Sequence, residues 1–334
     1  MVPPPSAGAV LRTVYLGTSE FAASVLERLA TGPHRPALVI TRPDRPSGRG
    51  RRLTPPPVAD TAGELGIPLE QPERVNDPEA CATIARAAAG PGSELVLVVC
   101  AFGALIKEAL LAAHPILNVH PSLLPRWRGA APIERAIMAG DGETGVSIMR
   151  LTAGLDSGPV CLAAAEAIGA QDTFGTLAPR LAARGGELLV RALDGWERGE
   201  PPAFVEQDET RATYAEKIGP ADRLLDSALS ARDLERRVRA LHPHIGARIA
   251  LTDGTMLGVL RARALPQVSA SISASLPTAM PVASPPAPGV LAGVAGRLLY
   301  GTGEGALELL EVQPAGRRAM DGAAYLRGHD LPRA

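Results

Sequence analysis

The chain has 334 residues, of which 46% are hydrophobic and 21% charged, and a formal net charge of −1. It is long enough for two domains at roughly 150 residues each. Its composition is that of a folded globular protein, and a near-neutral total gives no global field that marks a nucleic-acid binder. Three well-separated cysteines, Cys81, Cys100 and Cys161, exclude a disulfide scaffold and any CxxC zinc or redox site. The apolar run from Leu95 to Ile106 is too short to cross a bilayer. The opening MVPPPSAGAVLR lacks the basic and apolar regions of a signal peptide. A soluble cytoplasmic protein with no membrane partner is therefore expected.

Val10–Gly17 reads as a strand ending at glycine, and Ser19–Ala30 as a helix with Phe21, Val25, Leu26 and Leu29 at helical spacing. Ala37–Thr41 is a second strand, Ala59–Leu65 a helix, Leu95–Cys100 a buried strand, Ile116–Val119 a short strand and Ile133–Ala139 a helix. Strands alternating with helices predict a parallel α/β sheet. Ligands on such sheets bind beyond the C-terminal strand ends. Asp172–Arg198 reads as a long helix with Leu177, Leu181, Leu188, Leu189 and Leu193 on one face, and Glu200–Gln207, with two prolines, as a linker. Ser230–Leu241 opens the second part as a helix. The short apolar runs after it, Ile249–Leu251, Met256–Val259, Gly289–Leu291, Leu298–Tyr300 and Leu307–Leu310, predict a small β-barrel domain. The tract Pro266–Pro288, rich in Ser, Ala and Pro, reads as a low-complexity loop inside it. Residues 1–216 carry 20 basic and 25 acidic side chains and residues 217–334 carry 14 and 10. The neutral total thus hides a mildly basic C-terminal third, which chance alone could also produce.

Three stretches could carry chemistry. The first strand ends LGTSEF, with one glycine where a dinucleotide fingerprint needs three, so NAD or FAD is not expected. His114 and His120 lack metal-ligand spacing, so no metal is expected either. Asn118 and His120 alternate across Val119 and point to one side of an extended strand. One donates an amide N–H and the other moves a proton near neutral pH, a pair that suits an oxyanion beside a proton transfer. No Ser or Cys nucleophile motif accompanies them, which favours direct transfer over a covalent intermediate. The bland alternative is a turn-capping asparagine beside a packed histidine. Asp156, in Gly154-Leu-Asp-Ser-Gly, could orient His120 or accept a proton, or simply serve a turn. Arg42, Arg45, Arg49, Arg51 and Arg52, set among Pro and Gly without apolar periodicity, predict an exposed mobile loop suited to phosphate, or an ordinary solvated one.

Asn118-Val-His-Pro-Ser-Leu-Leu-Pro with Asp156 downstream resembles the folate-dependent formyltransferase superfamily. YLGTSEFAASVLERL, PDRPSGRGRRL, the run Arg126–Val160, TYAEKI (213–218) and LLEVQPAGRRAM (309–320) are similar, within it, to the methionyl-tRNA formyltransferases. The resemblance covers about residues 10–327. It implies a Rossmann-like parallel-sheet N-terminal domain over 10–199, a linker over 200–216 and a C-terminal OB-like β-barrel over 217–334 that binds tRNA. It implies formyl transfer from 10-formyltetrahydrofolate to the α-amino group of methionyl-initiator tRNA, without a metal, by a monomer. The catalytic set would be Asn118, His120 and Asp156. Ser122, Leu123, Leu124 and Pro125 would line the folate site, and Arg42, Arg45, Arg49, Arg51 and Arg52 would contact tRNA. Pro266–Pro288 is longer than this pattern needs, and 242–249 lacks the tryptophan that the pattern places near the barrel start.

Two other readings stay open on the residues. One is a formyltransferase acting on a nucleotide-linked amino sugar, which would need neither the arginine loop nor a basic second domain. The other is a non-catalytic tRNA-binding protein with a dead folate site, against which the intact Asn118, His120 and Asp156 argue.

Overall fold

The computed structural model describes residues 10–47, 52–87, 93–266, 285–329 and 331. The chain opens with β1 (Val10–Gly17), α1 (Glu20–Ala30) and β2 (Leu38–Ile40). Ser19 caps α1 by accepting the Ala22 N–H, one of the orphan donors every helix start leaves. A short antiparallel pair, β3 (Arg45–Ser47) and β4 (Arg52–Thr54), precedes α2 (Pro57–Glu64), β5 (Leu69–Glu70) and α3 (Pro78–Ala87). Then come β6 (Ser93–Cys100), α4 (Glu108–Ala113), β7 (Ile116–His120), β8 (Arg128–Gly129) and α5 (Pro132–Ala139). β9 (Glu143–Arg150), β10 (Val160–Ala167), α6 (Phe174–Glu197) and β11 (Tyr214–Ala215) complete this part.

Seven strands form one sheet in the order β10-β9-β7-β6-β1-β2-β5. The five from β7 to β5 run parallel, as the strand–helix alternation predicts. β9 and β10 extend the sheet in antiparallel sense. Neither was legible as a strand. β9 buries the polar Thr144 and Ser147, and β10 alternates small alanines with Glu166, so neither makes an apolar run. α3 carries little signal in the sequence because it buries only Ala80 and Ile84.

Alternation along β7 decides what faces where. Ile116 joins a core with Val14, Leu16, Leu97, Ile84 of α3 and Leu110 of α4. Asn118 and His120 continue that same line. Val119 faces the opposite way, toward α6. A Cβ on Gly185 of α6 would come within 2.9 Å of Val119 Cγ1 and 3.3 Å of Val146 Cγ1. Glycine at 185 therefore lets α6 lie directly on β7 and β9 and pins the strand that carries the polar pair.

The second part contains α7 (Pro220–Arg223), α8 (Ala231–Leu241), β12 (Ala247–Ala250) and β13 (Met256–Leu265), then β14 (Leu291–Val294), β15 (Arg297–Gly301), β16 (Ala306–Pro314), β17 (Met320–Asp321) and α9 (Gly322–Gly328). Its strands form an antiparallel sheet in the order β12-β13-β16-β15-β14, with β17 on β16. Ser230 caps α8. Leu234, Val238 and Leu241 of that helix meet Ile249, Leu257, Val259, Leu298 and Leu309 in one core. The expected helix and four of the five apolar runs fall on this framework, while Gly289–Leu291 reaches β14 only at Leu291 and Met256–Val259 is only the start of a ten-residue strand. Residues 267–284, most of the low-complexity tract, lie outside the described residues.

By internal packing the chain divides into two compact units, and the second comprises Ile133–Gly142, Ile168–Leu177 and Glu216–Ala334. α5 joins that unit through a bidentate Arg135–Asp222 pair at 2.7 and 3.1 Å and a Glu134–His244 contact at 3.0 Å.

Within the second unit, buried Glu308 on β16 takes four hydrogen bonds from Arg297 and Arg263, at 2.6 to 2.9 Å. Arg297 and Arg263 hold its carboxyl below the ordinary value of 4.5. A depressed folded-state pKa stabilises the fold above the unfolded-state value, and that contribution disappears as pH falls through the folded-state value. Glu308→Gln should therefore cost about 1–3 kcal/mol at pH 7. The difference from wild type should shrink as urea denaturation is repeated at successively lower pH below 4.5.

Candidate active site

β7 ends in Asn118 and His120, both nearly buried at 7% and 4% exposure. Asp156 reaches them from the loop between β9 and β10. Its backbone adopts φ +45°, a left-handed conformation that a residue with a Cβ rarely takes. That geometry turns the carboxylate inward. Oδ1 accepts from Asn118 Nδ2 at 3.5 Å, Oδ2 accepts from the Gly129 N–H at 2.8 Å, and Oδ2 lies 3.6 Å from His120 Nδ1. The Gly129 bond is a full hydrogen bond, while the other two sit at or beyond the normal limit. Catalytic contacts are often this long before substrate binds and tighten with it.

The other ring nitrogen of His120 is engaged as well. Nε2 lies 2.9 Å from the Trp127 carbonyl. Both nitrogens thus face oxygen, and a ring with an N–H on each would donate to both. Trp127 itself is left-handed at φ +62°, which aims its carbonyl back at the ring. Gly129 is the position in this loop that only glycine fits. Its φ is +117°, and a Cβ there would meet the Ala215 carbonyl oxygen at 2.7 Å.

Of the four residues expected to line a ligand, Ser122 is turned inward. It is fully buried, its hydroxyl donates to the Arg126 carbonyl at 2.6 Å, and its own carbonyl accepts from Ser147 Oγ at 2.7 Å. It shapes the loop and presents no hydroxyl outward. Leu123, Leu124 and Pro125 are half-buried. A Cβ on Gly145 of β9 would lie 2.5 Å from Leu123 Cδ2, so that leucine packs directly on the strand.

Of the five arginines, the three at described positions do not share one irregular loop. Arg45 and Arg52 lie on the exposed pair β3 and β4, in register Arg45 with Thr54 and Ser47 with Arg52. Backbone pairing here proceeds without the apolar periodicity that signals a strand. Arg49 and Arg51 lie outside the described residues. Arg42 precedes the pair and donates to the Gly103 carbonyl at 3.3 Å. It lines a cavity of about 330 Å³ with Arg74, Lys107, Phe102 and Leu105.

Three neighbours of the site were not singled out by sequence. Trp127 and Arg128 lie within the run Arg126–Val160, whose sequence gives neither a role. Gln207 closes the stretch that reads as a linker. Buried Arg128 gives two hydrogen bonds to Glu209, at 2.8 and 2.7 Å, and one to Gln207 Oε1 at 3.0 Å. Hydrogen bonding to Glu209 raises the Arg128 pKa and, in turn, lowers that of Glu209. Among the described residues no three His, Cys, Asp or Glu side chains are grouped as a metal would need, and no helix is long and apolar enough to cross a membrane.

Comparison with known proteins bears on the same residues. Residues 11–193 match the formyl transferase family, and residues 217–330 match the formyl transferase C-terminal domain. The methionyl-tRNA formyltransferase of Methylococcus capsulatus is 40% identical over 323 residues, 96% of this chain and 98% of that one. That of Methylobacterium sp. is 42% identical over 323 residues, 96% and 97% of the two chains. The solved N-formyltransferase of Helicobacter canadensis, in complex with folinic acid and dTDP-3-aminofucose, aligns with TM-score 0.60 and 12% identity over 90% of this chain and 99% of that one. HypX of Aquifex aeolicus in complex with tetrahydrofolic acid gives TM-score 0.60 and 16% identity over 94% of this chain, which spans only 46% of HypX. At such identities the two structures speak for the fold. With both of its parts matched and full-length relatives near 40% identity, the chain belongs to the formyl transferase family.

Proposed function

We propose that the protein transfers the formyl group of 10-formyltetrahydrofolate to the α-amino group of methionyl-initiator tRNA. One observation carries the reading: Asn118, His120 and Asp156 converge at the end of β7 in a chain whose full-length relatives are methionyl-tRNA formyltransferases. The neutral amine attacks the formyl carbon, and a C–N bond forms as the carbonyl oxygen takes up charge. The Asn118 amide and the His120 ring stabilise that oxyanion. Collapse breaks the bond to N10 of the folate. The amine loses a proton and N10 gains one, and Asp156 is the base that receives and returns it. The long Asn118 and His120 contacts to Asp156 are weak enough for substrate to replace. Leu123, Leu124 and Pro125 supply apolar wall to the folate, and Ser122 supports them from behind.

The arginines of the β3–β4 pair reach the tRNA backbone, where guanidinium groups position phosphates and carry little sequence information. Initiator choice needs base or end-shape contacts in addition. The enzyme acts in the cytoplasm as a monomer on this reading. An amino-sugar acceptor has the fold-level likeness to the Helicobacter canadensis enzyme in its favour, but leaves the arginine pair without a role.

Three measurements test the reading. Formyl transfer to charged initiator tRNA should be fast and transfer to charged elongator methionyl-tRNA slow; no transfer to either, with folate bound, would point to another amine. Asp156→Asn should lower kcat by about 10²- to 10⁴-fold and leave the KM for the folate within a few-fold. Arg45→Ala with Arg52→Ala should raise the KM for charged tRNA, and each lost phosphate contact should flatten its log–log salt dependence by about one. An unchanged KM would make the pair an ordinary surface feature.

A further inference from the structure

The stretch after α6 grips both loops of the site through a single side chain. Gln207 Nε2 donates to the carbonyl of Asp156 at 2.8 Å and to that of Gly158 at 2.6 Å. Its Oε1 accepts from Arg128 Nε at 3.0 Å. Two carbonyls on one side and a guanidinium on the other fix which end of the amide is nitrogen. Arg128 is itself immobilised by the bidentate bond to Glu209. From the same run, Thr213 Oγ1 accepts the Trp127 N–H at 2.9 Å, and Trp127 is the residue whose carbonyl meets His120.

The bonds of Gln207 fall where the backbone most needs support. Asp156 is a non-glycine residue at φ +45°, a conformation that persists only where the surroundings over-determine it. Gly158, two residues on, is pressed against the Arg150 carbonyl. Gln207 ties down the carbonyls of both, so turning the peptide after Asp156 costs one bond and shifting the loop as a whole costs both. Rotation there would swing the carboxylate away from Asn118, His120 and the Gly129 N–H.

We propose that Gln207 is a positioning residue for formyl transfer: it locks the Asp156 loop in the left-handed conformation that aims the carboxylate at its partners. It touches neither reactant and acts through Asp156. The inference rests on the role given to Asp156 above.

The test uses the full chain with Gln207→Glu, which keeps the size and the acceptor for Arg128 but turns an oxygen on two carbonyls. Gln207→Met, which keeps the length without charge, serves should the first variant not fold. Single-turnover rates with 10-formyltetrahydrofolate and charged initiator tRNA are measured alone and in an Asp156→Asn background, together with both KM values and thermal unfolding. A misplaced catalytic group should cost about 10- to 100-fold in rate, with both KM values within about twofold. In the Asp156→Asn background the same substitution should change the rate by less than about twofold, because effects that run through one group do not add.

A full-sized loss in both backgrounds, or wild-type rates for the Gln207 variants while Asp156→Asn is crippled, overturns this proposal and leaves the Asp156 role standing. A wild-type rate for Asp156→Asn alone removes that role, and this proposal with it.

Discussion

Everything about the site depends on one carboxylate being held where it does not naturally point. Asp156 is left-handed, and its oxygens receive the Gly129 N–H at full strength and the Asn118 amide at the edge of bonding. A strong bond to the backbone and weak ones to side chains make a useful division. The first fixes the position, and the second leaves Asn118 and His120 only loosely tied to the carboxylate. A carboxylate bonded tightly to all three would be stable and unresponsive.

The scaffold supplies the rest by layering. β7 is a central strand gripped on one side by α6 at Gly185 and on the other by the core that α3 and α4 share. Its last two polar side chains are thereby set on rigid backbone. The loops carrying Asp156 and Trp127 are less regular, and they are held by the segment from Gln207 to Ala215 through side-chain bonds and the short β8–β11 ladder. Strand precision and loop precision come from different sources: apolar packing for the first, hydrogen bonds for the second.

That difference explains what sequence could and could not reveal. Apolar runs such as Leu95–Cys100 and the stripe of α1 are direct records of burial, so the parallel core and the position of Asn118 and His120 were readable. β9 interrupts its buried Val146, Ile148 and Met149 with the equally buried Ser147 and Thr144, and β10 is a partly exposed strand of mostly small residues, so neither leaves such a record. The β3–β4 pair has Pro46 within it and an exposed Leu53, so backbone ladder bonds alone make it a hairpin. By its spacing alone Asp156 fits a turn aspartate as well as a partner of His120, because only the fold brings its loop back to β7. Gln207 had no signature at all. An amide bonding to backbone carbonyls far away in sequence places no demand on its neighbours, and two prolines nearby made the stretch read as a passive connector.

The Glu308 cluster changes how the charge of the second unit should be counted. Arg263 and Arg297 share one carboxylate, so this cluster of three side chains carries one net positive charge where a tally of its arginines gives two. The cations left to gather an ion atmosphere are those standing in solvent, such as Arg261, Arg317, Arg318 and Arg327. Exposed charges farther apart than about a Debye length are largely screened from one another, so local arrangement matters more than the total. The electrostatic footprint of this unit is therefore a matter of where its unshared guanidinium groups stand, and the modest net charge of its sequence understates some patches while overstating others.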